Sequence, residues 1–279
     1  MKCLLEILKD SEKFLKAKAS PSPRADAEWL MSHALNLKKI EMYTQFERPL
    51  DESELSRIRP LLKRRAAGEP VQYIIGETDF YEATFAVGPG VLIPRPETEV
   101  LVDYVISHYQ EKSGILDLCT GSGAIILSLA KRFLDCQEFI GSDISTDALA
   151  WAEKNKERLG ISNCSFMESD LFNSIPQQTF EVITINPPYV TSDDYAQLSL
   201  HIRDHEPRDA LLAEKNGLDV IKRFCETALP YLIENGFVIC EIGETQAADV
   251  RELFMENGWG DTEVVKDFNR KDRFVIGRK

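Results

Sequence analysis

The chain has 279 residues, of which 43% are hydrophobic and 28% charged, with a formal net charge of -13. This length and balance supply ample material for a core and point to two modest domains, and no apolar run is long enough to span a bilayer. The charge is uneven: residues 1–75 carry 14 Lys+Arg against 11 Asp+Glu, a net of +3, while residues 76–279 carry 19 against 35, a net of -16. So acidic a second part argues against an unaided grip on long nucleic acid, and no direct nucleic-acid or membrane partner is expected. The opening Met1-Lys2-Cys3-Leu4-Leu5-Glu6 meets charge too early for a secretory signal. The six cysteines, at 3, 119, 136, 164, 225 and 240, include no Cys-x-x-Cys pair, and a cytoplasmic protein with reduced thiols is expected. His201 and His205 form an i, i+4 pair with only Glu206 nearby as a third ligand, so no metal site is expected.

In chain order, residues 1–70 are patterned as helices: Leu4, Leu5 and Leu8, then Ala25, Trp29, Leu30 and Ala34, recur at three- and four-residue spacing. Ser22-Pro23 starts one helix. Asp51, with Glu54 at the capping-box position, starts another that runs to Ala67 and stops at Gly68. The last helix carries Arg57, Arg59, Lys63, Arg64 and Arg65, either a solvated surface or a partner-binding face. Residues 71–96 turn to short extended pieces, Asp79–Tyr81 and Thr84–Val87, which read as a β-hairpin connector. A third segment, 97–279, opens with a helix marked by Val100, Leu101, Tyr104 and Val105.

From Gly114 onward strands and helices alternate, with strands at 115–119, 138–143, 163–168, 180–185 and 236–242 and helices at 124–133, 146–159, 217–233 and 245–257. Such alternation predicts an α/β fold with a parallel sheet and helices on both faces. The strands 262–266 and 273–277 are joined by a hairpin-length loop, which makes the final strand antiparallel.

Two strand ends carry chemistry. After the strand at 115–119 comes Cys119-Thr120-Gly121-Ser122-Gly123, a tight turn whose glycines let backbone approach a ligand, and Asp143 ends the next strand, placed to accept hydrogen bonds from ribose hydroxyls. A dinucleotide Gly-x-Gly-x-x-Gly pattern is not met, because Ile126 occupies the third glycine's place, so a cofactor without pyrophosphate is favoured. After Phe180–Ile185 comes Asn186-Pro187-Pro188-Tyr189, whose prolines stop the strand and leave a stiff rim at its carboxyl end. If the Asn186 side-chain oxygen and the Pro187 carbonyl each accept one N–H of a planar NH2 group, they orient its nitrogen for attack, and Tyr189 stacks on the plane. The motif holds no strong base, and direct transfer to such a nitrogen needs none beforehand. Asp117 reads as a brace for the glycine turn, Glu206 and Arg208 as a pair shaping the loop after Tyr189, and Glu241 as a structural partner or a group approaching the site.

Together, Asp117–Gly123, Asp143 and Asn186–Tyr189 resemble the motifs of class I S-adenosylmethionine-dependent methyltransferases acting on planar nitrogens. With Ile93–Glu99, His205–Leu211, Asn216–Leu218 and Asp272–Arg278, the set is most similar to the glutamine methyltransferases of peptide-chain release factors, the PrmC or HemK family. The resemblance spans residues 93–278, and the preceding helices and hairpin follow the family's order. It implies a Rossmann-like seven-stranded sheet with an antiparallel last strand, preceded by a helical substrate-recognition domain over 1–70 and a hairpin linker over 71–96.

The resemblance also implies S-adenosyl-L-methionine as cofactor, bound by residues 119–123, Asp143, Phe172 in the adenine neighbourhood, and Asn186. Its substrate is the glutamine of the Gly-Gly-Gln loop of class 1 release factors, held by Asn186, Pro187, Pro188 and Tyr189, with Asn186, Pro187 and Tyr189 as the catalytic set and a monomer as the working form. Two departures stand out: Cys119 where the family often has Gly, and Phe172 where relatives can have Trp. A DNA or RNA adenine methyltransferase shares the Asn-Pro-Pro-Tyr pattern and is the alternative. A non-catalytic cofactor-binding domain is disfavoured by the intact Asn186 and Tyr189.

Overall fold

The computed structural model describes residues 2–134, 138–213 and 216–279, so the expectation of a reduced thiol at Cys136 lies outside the described residues. The other five cysteines are free thiols. The chain forms two compact units, Met1–Glu77 with Ser199–His205, and Thr78–Leu198 with Glu206–Lys279.

The first unit is built on the helices Leu4–Ala17, Pro23–Leu35, Lys39–Thr44 and Glu52–Ala66, whose apolar stripes meet in a core of Leu4, Leu8, Leu30, Met31, Ile58 and Leu62. The predicted capping box forms: the Asp51 carboxylate accepts the Glu54 N–H at 2.8 Å, and the Glu54 carboxylate accepts the Asp51 N–H at 3.0 Å. The arginine-bearing helix is not a uniform solvated face. Arg65 is buried and pairs with Asp26 at 2.7 Å, and Arg64 pairs with Glu69, so these two cations brace the unit itself. Val71–Ile75, which opens the segment read as a hairpin connector, is a helical turn. Pro70 precedes it, and Gly76 closes it in the left-handed conformation (φ 83°), both ordinary helix-end signals.

The two-stranded sheet of β1 (Glu77–Phe80) and β2 (Ala83–Ala86) belongs, from Thr78 onward, to the second unit. Its main sheet comprises β3 (Ile115–Leu118), β4 (Phe139–Asp143), β5 (Cys164–Glu168), β6 (Phe180–Ile185), β7 (Leu232–Glu241), β8 (Asp261–Lys266) and β9 (Asp272–Arg278), in the order β5-β4-β3-β6-β7-β9-β8. Strands β3 to β7 pair in parallel, and β9 runs antiparallel between β7 and β8.

Side chains alternate along each strand and so feed two cores: Leu116, Leu118, Ile183, Ile185 and Val238 join one, Ile115, Val182, Phe237 and Ile239 the other. The helix predicted over 217–233 stops earlier, as Asp219–Thr227, and a 3-10 turn at Leu229–Tyr231 takes up Pro230, which lacks the N–H to continue the helix. This frees Leu232 to start β7, four residues before the strand predicted at 236–242.

The sheet reverses its winding between β3 and β6. β4 and β5 lie outward on one side and β7 on the other, so the carboxyl ends of β3 and β6 border the crevice in which open α/β sheets bind ligands.

Candidate functional site

The turn after β3 is held in an unusual backbone shape. Cys119, Gly121 and Gly123 have φ values of 56°, 57° and 77°, so three of five residues occupy the left-handed region. The constraint on Gly123 is steric as well as conformational, since a Cβ there would meet Leu127 at 3.0 Å and Phe166 at 3.1 Å. Above Gly121 only Val91, at 3.9 Å, comes within reach of a Cβ among the described residues, so the turn presents backbone on one face.

Several side chains fix this shape. Asp117 is fully buried and takes hydrogen bonds from the hydroxyls of Thr120 and Thr184, each at 2.6 Å. Burial raises its pKa to about 7. The Asp143 carboxylate accepts the Gly121 N–H and the Ser145 N–H, both at 2.9 Å, and burial raises its pKa against those two bonds. Asn155, wholly buried and not singled out in the sequence, donates to the Ser122 carbonyl at 3.0 Å and bonds Ala86 of β2 on both N–H and C=O. Cys119 is a half-buried thiol whose pKa burial raises, with Asp143, Asp117 and Asp170 adding repulsion, so it stays neutral.

The turn fits a nucleoside. A carboxylate has about four acceptor positions, so two bound N–H groups leave Asp143 capacity for a ribose diol. Ile144, the next residue, is 65% exposed and offers an apolar face beside it. Sequence reasoning passed over Ile144; an apolar residue directly after the strand-end acid was the available signal. Phe172 occupies a different environment from the one expected of an adenine contact. It is buried in the core, stacked on Tyr231 with centroids 4.5 Å apart and near Phe224 at 6.1 Å, so its ring is already engaged by aromatic neighbours.

At the end of β6, Asn186 is partly exposed and Pro187 buried. Among the described residues neither the Asn186 amide nor the Pro187 carbonyl has a hydrogen-bond partner. The residues after them are tightly held. Val190 donates its N–H to the Leu211 carbonyl and accepts from Ala213, each at 2.9 Å, and the Tyr189 carbonyl accepts the Gln246 amide at 3.3 Å. The Tyr189 hydroxyl donates to Glu241 at 3.2 Å, and the other Glu241 oxygen accepts the Thr98 hydroxyl at 2.7 Å. Glu241 is buried at the end of β7, and burial raises its pKa despite Thr98, Arg273 and Tyr189. Burial, with Glu241 beside it, also pushes the Tyr189 phenol well up, so it remains a donor.

Glu241 is therefore the structural partner of Tyr189, and Thr98 and Gln246 are supports the sequence did not reveal. Glu206 does not pair with Arg208: its carboxylate accepts the Ile93 N–H at 3.1 Å and Arg95 at 2.7 Å, while Arg208 lies over the Tyr195 ring at 6.0 Å. Arg95 comes 111 residues earlier in the chain, a separation that local reading cannot bridge. Among the described residues no group of three or more His, Cys, Asp or Glu could hold a metal ion, and no helix is long and apolar enough to cross a membrane.

Residues 6–76 match the PrmC N-terminal domain and residues 110–258 a methyltransferase domain. Release factor glutamine methyltransferases from Thermodesulfovibrio yellowstonii and Leptospira interrogans are 41% and 40% identical to the chain; the first match covers 91% of this chain and 92% of the relative, the second 98% and 97%. The Escherichia coli protein of that name is 35% identical, with 96% of each chain covered. Among solved structures, a Pyrococcus furiosus methyltransferase aligns with a TM-score of 0.52 at 19% identity, covering 80% of this chain and 98% of its own. A T. Thermophilus 16S rRNA methyltransferase in complex with AdoMet and guanosine aligns with a TM-score of 0.54 at 18% identity, covering 73% and 49%. These two likenesses carry the α/β fold alone, and the matched domains and full-length relatives carry the rest: the chain belongs to the family of release factor glutamine methyltransferases.

Proposed function

We propose that the chain methylates the side-chain amide nitrogen of a release-factor glutamine, using S-adenosylmethionine, with Asn186, Pro187 and Tyr189 as the groups that meet the amide. The observation that carries this reading is the pair of unpartnered acceptors at the end of β6, the Asn186 amide oxygen and the Pro187 carbonyl. An amide NH2 has two donors in one plane and a lone pair delocalised into its carbonyl. Two fixed acceptors take both N–H groups, hold the nitrogen facing the methyl donor, and favour the positive charge that grows on it during transfer.

Tyr189 supplies a flat face for the amide, and Glu241 and Thr98 keep that face in place. The turn 119–123 and Asp143 hold the cofactor, with Ile144 rather than the ring of Phe172 against the purine. When bound, S-adenosylmethionine supplies an electrophilic methyl group on a sulfonium. Asp117 lies behind the turn and has both oxygens bonded to threonines, which suits bracing rather than proton transfer.

The Gly-Gly-Gln loop of a class 1 release factor is the target segment, and the helical unit helps hold the factor. We take the working form to be a monomer, as the family resemblance implies. A net charge of -16 over residues 76–279 favours a protein substrate over nucleic acid.

The test is to offer methyl-labelled cofactor with a release factor, the same factor with its loop glutamine replaced by alanine, and adenine-containing DNA, in separate reactions. Label on the unaltered factor alone is the expected result. Label on DNA but not on the factor would overturn the reading.

A further inference from the structure

The hairpin tip between β8 and β9 is built more firmly than a solvent loop needs. Asp267 is buried, and one of its carboxylate oxygens accepts the N–H groups of Asn269 at 2.8 Å and Lys271 at 3.1 Å while the other accepts the Arg273 side chain at 3.2 Å. Backbone bonds between Asp267 and Lys271, and from Arg270 to Asp267, both 2.9 Å, close the same turn, with Arg270 held at φ 62°. The rigid tip carries Phe268 65% exposed, and among the described residues the Arg270 side chain has no ion-pair or hydrogen-bond partner. An aromatic ring and an unpaired guanidinium on a pre-organised turn are the side-chain types that anchor protein interfaces, and their fixed backbone lowers the entropy cost of binding.

The tip also sits at the catalytic end of the sheet. β9 starts beside the carboxyl end of β7, with Glu241 opposite Phe274, and Arg273 donates to the Ile242 carbonyl at 3.2 Å. From the tip, Asn269 reaches Glu97 at 3.5 Å; its neighbour Thr98 holds Glu241, which holds Tyr189. A macromolecule that inserts one side chain between Asn186 and Tyr189 must lie across this rim. We infer that the Phe268–Arg270 tip is a docking point for the body of the protein substrate flanking its target glutamine, where it meets an apolar side chain beside a carboxylate. The inference rests on the reading of the site as a release-factor glutamine methyltransferase.

The test compares the full chain with its Phe268→Ala and Arg270→Glu variants, using full-length release factor and S-adenosylmethionine. Steady-state methyl transfer is read together with cofactor affinity by calorimetry. The expected result is a KM for the factor raised about tenfold or more in each variant, with kcat and cofactor affinity within about twofold of the parent. Phe268→Ala alters no charge, so its effect cannot be a long-range electrostatic one. Unchanged KM in both variants, or a loss confined to kcat or to cofactor affinity, would overturn the docking role while leaving the proposed function intact. No transfer to the factor by the parent protein would overturn both.

Discussion

The Tyr189 hydroxyl donates to Glu241, a carboxyl buried at the end of β7 whose second oxygen is held by the Thr98 hydroxyl. The Tyr189 ring is thus tied to two elements far away in sequence. Replacing Glu241 by alanine leaves the buried Thr98 hydroxyl and the partly buried Tyr189 hydroxyl without their acceptor and opens a hole beneath the ring. A loss of about 2–4 kcal/mol in chemical denaturation is expected, with a clear fall in kcat. Glu241→Gln keeps the shape and an acceptor, so it is expected to recover most of the stability. Equal losses in the two variants would mean that the carboxyl acts through its charge.

Gly217 governs the same motif from the other side. Its φ is 79°, and a Cβ on it would lie 2.4 Å from the Tyr189 carbonyl and 2.6 Å from the Gln246 amide. Gly217→Ala is therefore expected to lower stability by about 2 kcal/mol or more and to reduce transfer to the factor, because backbone must move where Tyr189 is anchored. Cofactor affinity, measured by calorimetry, should change far less than kcat.

Asp117 sets a pH dependence of folding. Its pKa rises from an ordinary 3.8 to about 7 in the folded chain, so the folded state keeps a proton that the unfolded state releases. The sign follows: with respect to this group, stability is fullest below about pH 4, falls as pH rises, and levels off above about pH 7. Asp117→Asn removes the titration while leaving a group of the same shape between Thr120 and Thr184. Denaturation midpoints measured from pH 5 to pH 8 are expected to fall less steeply in the variant, the difference being on the order of a few kcal/mol across the window. Parallel profiles would show that the buried carboxyl does not hold the proton.

What the sequence made legible was local. The strand-to-turn junctions at Cys119 and Asn186, the strand-end Asp143, the capping box at Asp51 and the antiparallel return of β9 each depend on a few neighbouring residues. What it hid depended on distance. Thr98 and Glu241 are 143 residues apart and Arg95 and Glu206 are 111 apart, so no spacing rule connects them. Arg65 looked like surface because its helix is rich in cations, yet its partner Asp26 lies on another helix, 39 residues earlier. The family resemblance puts Phe172 in the adenine neighbourhood, and only the packing of Tyr231 and Phe224 around it shows how the ring is used.

Asp143 and Asn186 are expected to separate binding from chemistry. Asp143→Ala removes the acceptor of the Gly121 and Ser145 N–H groups as well as the proposed ribose contact, so cofactor affinity is expected to fall by about tenfold to a hundredfold. Asn186→Ala leaves that turn untouched. The decisive measurement pairs calorimetric cofactor affinity of Asn186→Ala with its single-turnover rate of methyl transfer to the release factor. Affinity within about threefold of the parent and a rate lower by about a hundredfold to a thousandfold is the expected result. Equal losses of affinity and rate would contradict the account, because they would make Asn186 a support for the cofactor rather than an acceptor for the substrate amide.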